Sequence, residues 1–265
     1  MWMAKQNNPR WYVLPLFFSL FAFWVVPSYS QDERGGENGD YTRVPTLKVV
    51  LPSKSGISEY YYVQPVNVIL TNIDESDGLV KLRVDVSSNP PAHQHVLSAR
   101  FAASARVTAI GTRLRLEGEG EAVVKVIAQT HSGREITATG KIQLDEGVDF
   151  SNESSLTKRL PGLKGPIGTA RARLWGKGKY NRQFSAIVYH PMLPRIGGRG
   201  PNRLESLEIQ YRGTLLGQIE FGDAMSNDPY IDVRFMDQQS GSGPIRVQWK
   251  DTAGKTFEPE KISVR

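Results

Sequence analysis

The stretch Leu79-Val80-Lys81-Leu82-Arg83-Val84-Asp85-Val86 decides the fold class. Val80, Leu82, Val84 and Val86 alternate with Lys81, Arg83 and Asp85, and a period of two places the aliphatic residues on one face of a strand and the charges on the other. One face is buried and one is wet, as in an antiparallel sheet covered on one side. No long amphipathic helical period competes with this pattern.

Outward from this strand the same grammar recurs. Val44 to Leu51 and Tyr60 to Leu70 are β-prone, with Pro65 marking an edge or a bulge. After the break at Asn89-Pro90-Pro91, further strands are expected over Val96 to Ala103, Val107 to Leu116 and Ala122 to Gln129. His131-Ser132-Gly133-Arg134 then turns the chain into a last strand from Glu135 to Leu144. Alternation stops at Leu144-Asp145-Glu146-Gly147-Val148-Asp149-Phe150 and resumes beyond Pro161, Gly162, Gly165 and Pro166. Strands are expected there over Ala170 to Trp175, Phe184 to Tyr189, Leu204 to Tyr211, Leu215 to Phe221, Tyr230 to Phe235, Ile245 to Trp249 and Phe257 to Val264. The two blocks end alike: Gly133-Arg134 and Lys141-Ile142-Gln143-Leu144 can be laid on Gly254-Lys255 and Lys261-Ile262-Ser263-Val264. The expectation is an all-β protein with two immunoglobulin-like β-sandwich domains, 44–147 and 169–265, joined by a linker over 148–168.

The first 30 residues read as a signal peptide. Lys5 and Arg10 precede the uncharged apolar run Trp11 to Val26, and Ser28-Tyr29-Ser30 offers small residues for cleavage before Gln31. Residues 31–43, rich in Gly and charge, are expected to be a disordered spacer. The expectation is an exported protein, in the periplasm if the source is bacterial, with no stable membrane insertion after cleavage. The chain has no cysteine, which excludes thiolate nucleophiles, disulfide exchange and Cys-ligated metals. The net charge of +6 is uneven: residues 31–150 hold 13 Lys/Arg against 16 Asp/Glu, and residues 151–265 hold 18 against 11. In an exported protein without nucleic-acid motifs, the basic block fits an acidic protein partner, a small anion or the acidic first block.

Few residues offer chemistry. His93 and His95, two apart, would share a face of a strand as a metal pair needs, yet Pro90-Pro91 also suits a solvated loop. His190-Pro191-Met192 ends a strand, and Met225-Ser226-Asn227-Asp228-Pro229-Tyr230 turns into another. A His with thioethers could hold copper, or the same residues could simply end a strand and cap turns. No Gly-x-Ser-x-Gly elbow is present, so Ser/His/Asp catalysis is not expected. Asp145, Glu146 and Asp149 could form a weak calcium site or a solvated acidic spacer. The composition points to a non-enzymatic binding protein without a cofactor.

Several motifs in order carry a resemblance. Ala170-Arg171-Ala172-Arg173, Ile187-Val188-Tyr189-His190-Pro191-Met192, Met225-Ser226-Asn227-Asp228-Pro229-Tyr230 and Ser240-Gly241-Ser242-Gly243 before Val247-Gln248-Trp249-Lys250-Asp251 resemble SoxZ, the immunoglobulin-like half of the periplasmic carrier of bacterial sulfur oxidation. Thr112-Arg113-Leu114-Arg115-Leu116, Val124-Lys125-Val126-Ile127-Ala128 and Gly140 to Leu144 resemble its partner SoxY. In SoxY the last strand runs into an arm whose cysteine carries the sulfur intermediate. Here that position reads Asp145-Glu146-Gly147-Val148-Asp149. The resemblance implies a fused SoxY–SoxZ-like chain that has lost covalent sulfur carriage but docks periplasmic redox partners. Those partners are a quinoprotein (PQQ) dehydrogenase with its c-type cytochrome, or Sox-type enzymes. His190, Pro191, Met192, Asn227, Pro229 and Tyr230 are its candidate partner surface. A periplasmic metal or small-anion binder using His93/His95 or His190/Met192 is the alternative reading, as is a thiosulfate-oxidation accessory.

Overall fold

The computed structural model describes residues 44–52, 63–74, 76–144, 165–177, 180–193, 202–239 and 242–264. The expected leader and spacer, residues 145–149 at the arm position and most of the 148–168 linker lie outside the described residues. The strands before the linker are β1 (Thr46–Val50), β2 (Val63–Thr71), β3 (Leu79–Val86), β4 (His95–Phe101), β5 (Val107–Arg115), β6 (Gly120–Thr130) and β7 (Glu135–Leu144). After it come β8 (Ala170–Lys177), β9 (Asn181–Val188), β10 (Leu204–Tyr211), β11 (Thr214–Phe221), β12 (Tyr230–Met236), β13 (Ile245–Asp251), β14 (Thr256–Phe257) and β15 (Ile262–Val264). The helical turns among the described residues are the 3-10 turns Pro91–His93 and Ala103–Ala105. The protein is all-β.

The deciding strand forms as read, with one shift. Leu82, Val84 and Val86 are buried while Lys81 and Arg83 are exposed, but Leu79 rather than Val80 completes the inward row. An irregularity in the β3–β6 ladder between Leu79 and Lys81 resets the side-chain alternation there. Pro65 lies in β2 opposite Arg113 of β5, and β1 stops opposite Asn67, so β2 is locally an edge at its proline.

Two separate sandwiches are not what forms. The fifteen strands among the described residues all belong to one mixed sheet. It consists of two long hydrogen-bonded runs that meet at a single residue pair, Leu79 with Val107. One run is β7–β6–β3–β4–β11–β10–β13–β14. The other is β1–β2–β5–β12–β9–β8–β15, in which β15 joins β8 in parallel. Each run therefore crosses from the first block into the second, through β4–β11 in one and β5–β12 in the other. The physical reason is edge satisfaction. β4 and β5 would end the first block with unpaired N–H and C=O groups, and β11 and β12 would do the same for the second. Pairing them removes four edges at once.

Inward side chains of the two runs form one core that draws on both blocks, from Val66 and Leu114 to Phe184 and Trp249. Tyr211 of β10 meets Phe235 of β12 edge-on, ring centroids 5.1 Å apart, so the runs face each other as layers. At the seam the backbones approach too closely for side chains. A Cβ on Gly222 would lie 2.0 Å from the carbonyl oxygen of His95.

The matching ends of the two blocks diverge in space. Glu135–Leu144 stays in one ladder with β6. The corresponding tail pairs with β13 only over Thr256 and Phe257, then crosses to β8, where Ile262 lies opposite Ala172. Pro259 intervenes and has no amide hydrogen to continue a ladder.

Candidate functional site

The end of β5 brings Arg115 to the boundary between the blocks. Its backbone is fixed on both sides: its amide donates to Ala224 O at 2.8 Å, and its carbonyl accepts from Asn89 Nδ2 at 3.1 Å. Asn89 also bonds His93 O and the Glu117 amide, so one buried amide side chain closes the turn after β5. The guanidinium is fully buried. It donates from Nη1 to Met192 O at 2.7 Å, from Nη2 to Pro191 O at 3.0 Å and from Nε to Asn227 Oδ1 at 3.1 Å, with Nη2 also on Asn227 Oδ1. A planar fork of five donors suits three acceptors from two loops better than an ammonium would.

The two loops that receive Arg115 are the turns singled out in the sequence. His190 N donates to Asp228 Oδ1 at 2.9 Å, and Asp228 N returns a bond to His190 O at 2.8 Å. Met192 and Asp228 have φ of 49° and 47°, left-handed conformations that these bonds hold in place. His190 Nδ1 accepts from Met192 N at 3.2 Å, which leaves that nitrogen unprotonated and the proton on Nε2. Burial pushes the imidazole down to about 4, with Asp251 opposing weakly. The thioethers are engaged as well: Met192 Sδ accepts from Leu204 N at 3.2 Å, and Met225 Sδ from Thr112 Oγ1 at 3.6 Å.

The candidate partner-surface residues are thus mostly turned into the molecule. His190, Met192 and Asn227 are buried, as is Pro229, and they serve the contact with the first block; Pro191 and Tyr230 are half-buried. His190 and Met192 hold loop geometry rather than an open coordination site. Tyr230, on the outward face of β12, lies under the Arg113 guanidinium, 5.1 Å from ring centroid to Cζ. Its hydroxyl donates to Asp232 Oδ2 at 3.3 Å. Burial and the Asp232 carboxylate raise its pKa well above the ordinary phenol range, against the pull of Arg113.

His93 and His95 part company. His93 Nδ1 lies 3.5 Å from Asp223 Oδ2, a residue that Arg203 also reaches at 3.3 Å. His95 Nδ1 is 2.9 Å from Asp85 Oδ1, and its Nε2 is 3.2 Å from Ser98 Oγ. Among the described residues no group of three or more His, Asp or Glu side chains is arranged to hold a metal.

The Asp85–His95–Ser98 chain has the connectivity of a hydrolase triad, and the sequence reading missed it because its members come from two strands. It lacks the other parts. Ser98 is in mid-strand between Arg83 and Glu220, so its amide belongs to the ladder and not to an oxyanion. Asp85 is also tied to Arg83 Nε at 2.7 Å. Burial pushes the Asp85 carboxyl up, but the bonds from Arg83 and His95 outweigh it and hold it below the usual carboxylate range. Arg115 and Asn89 were likewise missed; the signal available was an arginine between two leucines at a strand end.

Comparison with known proteins follows the second block. The family model described as "Sulphur oxidation protein SoxZ" matches residues 200–261, which span β10 to β14 and the Asn227–Tyr230 turn. Residues 44–193 lie outside that match. No curated protein matches the chain in sequence. Solved structures similar to it include α-L-rhamnosidase from Aspergillus terreus at 9% identity and TM-score 0.27, covering 82% of this chain and 29% of that one. The α-L-rhamnosidase from Dictyoglumus thermophilum is similar at 8% identity and TM-score 0.27, covering 83% and 29%. The secreted serine protease VesC from Vibrio cholerae is similar at 11% identity and TM-score 0.26, covering 82% and 51%. The chain spans under a third of the rhamnosidases and about half of the protease. Over residues 200–261 the chain carries a SoxZ domain.

Proposed function

We propose that this chain is a non-catalytic, exported accessory protein of the sulfur-oxidation carrier type. In it a SoxZ-like half is paired with a SoxY-like half in one polypeptide. The observation that carries this reading is the pairing itself: the SoxZ domain is hydrogen-bonded into the same sheet as residues 46–144 at two seams, and Arg115 bonds Asn227 within it and the Pro191 and Met192 carbonyls just before it. Without a cysteine the chain cannot hold sulfur covalently, because such an adduct needs a thiolate. What remains is docking. The partner is a periplasmic redox enzyme, either a quinoprotein dehydrogenase with its c-type cytochrome or a Sox-type enzyme.

The metal-binding alternative is less well supported, since His93 and His95 lie on different carboxylates and His190 is committed to Met192 N. Affinity capture with the full chain from periplasmic extract tests the docking reading. Recovery of a quinoprotein dehydrogenase, a c-type cytochrome or a Sox-type enzyme is expected, and recovery of none of these contradicts it.

A further inference from the structure

The outward faces of the two sheet layers differ in charge and composition. On the face formed by β7, β6, β3, β4, β11, β10 and β13, four ion pairs form beside the exposed cations Lys81, Arg100 and Lys125, which form none among the described residues. Arg83 pairs with Asp85, Lys141 with Glu121, Arg246 with Glu258 and Lys250 with Glu205. On the opposite face the cations named here are arginines. Arg171 and Arg173 project outward from β8, where Ala172 and Leu174 point inward; Arg113 of β5 and Arg234 of β12 project from the same side. None of these four arginines forms an ion pair among the described residues. Two buried acids lie near that face: Asp232 already accepts from Gln183 Nε2 at 2.6 Å and from the Tyr230 hydroxyl, and Asp228 acts on the Arg113 guanidinium, which burial pushes below the ordinary arginine range.

Register sets the dimensions of the patch. Tyr230 lies opposite Ile187, and Ile187 opposite Arg171, while Arg113 stacks on Tyr230. Three strand spacings therefore separate Arg113 from Arg171, about 14 Å. Half-buried Tyr230, Ile187 and Trp175 lie between or beside the arginines. Arginine with Tyr and Trp, and few Lys or Glu, is the composition that marks the centre of protein interfaces rather than ordinary surface.

We infer that this face, centred on Arg113 and Tyr230 and flanked by Arg171 and Arg173, docks a carboxylate-rich surface of a partner protein. The inference rests on the docking reading above and names its surface and the chemistry of the partner. Guanidinium groups bind carboxylates through two parallel hydrogen bonds. A polynucleotide fits less well, because the exposed aromatic platforms that stack bases are absent from the patch: Arg113 occupies the Tyr230 ring, and Trp175 is half-buried.

The test uses the full chain and a fluorescein-labelled deca-glutamate peptide, with an oligonucleotide of equal charge as competitor. Arg171→Glu/Arg173→Glu is compared with Lys81→Glu/Lys125→Glu, an equal charge change on the opposite face. Peptide affinity is expected to fall roughly tenfold or more in the arginine variant and to stay within about twofold in the lysine variant, with melting temperatures unchanged in both. Equal losses in the two variants, absence of peptide binding to the parent chain, or tighter binding of the oligonucleotide at the same arginines would each overturn the inference. A captured enzyme that binds the arginine variant as well as the parent leaves docking intact and refutes this surface. Face-specific peptide binding with no enzyme captured leaves the surface intact and refutes the partner assignment.

Discussion

Nε of Arg115 donates to Oδ1 of Asn227 at 3.1 Å, joining residues 112 positions apart across the boundary of the two sequence blocks. The guanidinium stabilises loop carbonyls and one amide in a dry site, where leaving such groups unpaired is costly. Arg115→Met is expected to lower stability by about 3 kcal/mol, since Pro191 O, Met192 O and Asn227 Oδ1 lose a charged donor together. Trp175 and Trp249 both lie in the second block, so urea unfolding followed by tryptophan fluorescence reads this loss across the seam. An unchanged midpoint would show that the two blocks are not coupled.

Gly222 is the tightest point of the β4–β11 seam. Gly222→Ala is expected to destabilise by about 3 kcal/mol, because the new methyl would meet the fixed His95 carbonyl and not a flexible side chain. Thermal unfolding of the variant checks this. A neutral or stabilising result would mean that the seam is looser than drawn.

His190 makes stability depend on pH in a stated direction. Its folded value of about 4 lies below the ordinary 6.5, so between these limits the unfolded chain binds a proton that the folded chain refuses. This contribution is complete above about pH 6.5, declines as pH falls towards 4 and levels off below. It amounts to at most about 3 kcal/mol. His190→Asn keeps an acceptor near the position of Nδ1 and does not titrate there, so its pH profile over this window should be flatter than that of the parent. Parallel profiles would contradict the assignment.

The Asp85–His95–Ser98 chain is expected to be a structural network. A fluorophosphonate probe should leave Ser98 unlabelled at neutral pH, as read by mass spectrometry of the intact chain. Labelling abolished by His95→Ala would instead show an activated hydroxyl.

Local structure was legible because it depends on local pattern. Leu79–Val86 alternates and forms β3, and Glu135–Leu144 forms β7 with the residues expected. Strand partners were not legible, since nothing in the alternation of His95–Phe101 or Thr214–Phe221 says that one will pair with the other 116 to 124 positions away. The tail was misjudged because a continuous β-prone run hid the break that Pro259 imposes. The His190 and Asn227 turns were recognised as special residues, but their role needed Arg115, whose side chain is buried although its residue type is usually exposed.

The central claim is that the SoxZ domain and the first block share one cooperative sheet. Hydrogen exchange on the intact chain tests it most directly, through the amides of Thr214–Phe221 and Tyr230–Met236 at the two seams. The account predicts that these amides are protected to the same degree as those of β9 and β10 and are lost with them in a single unfolding event. Seam amides that exchange orders of magnitude faster, with two separate unfolding transitions, would contradict it.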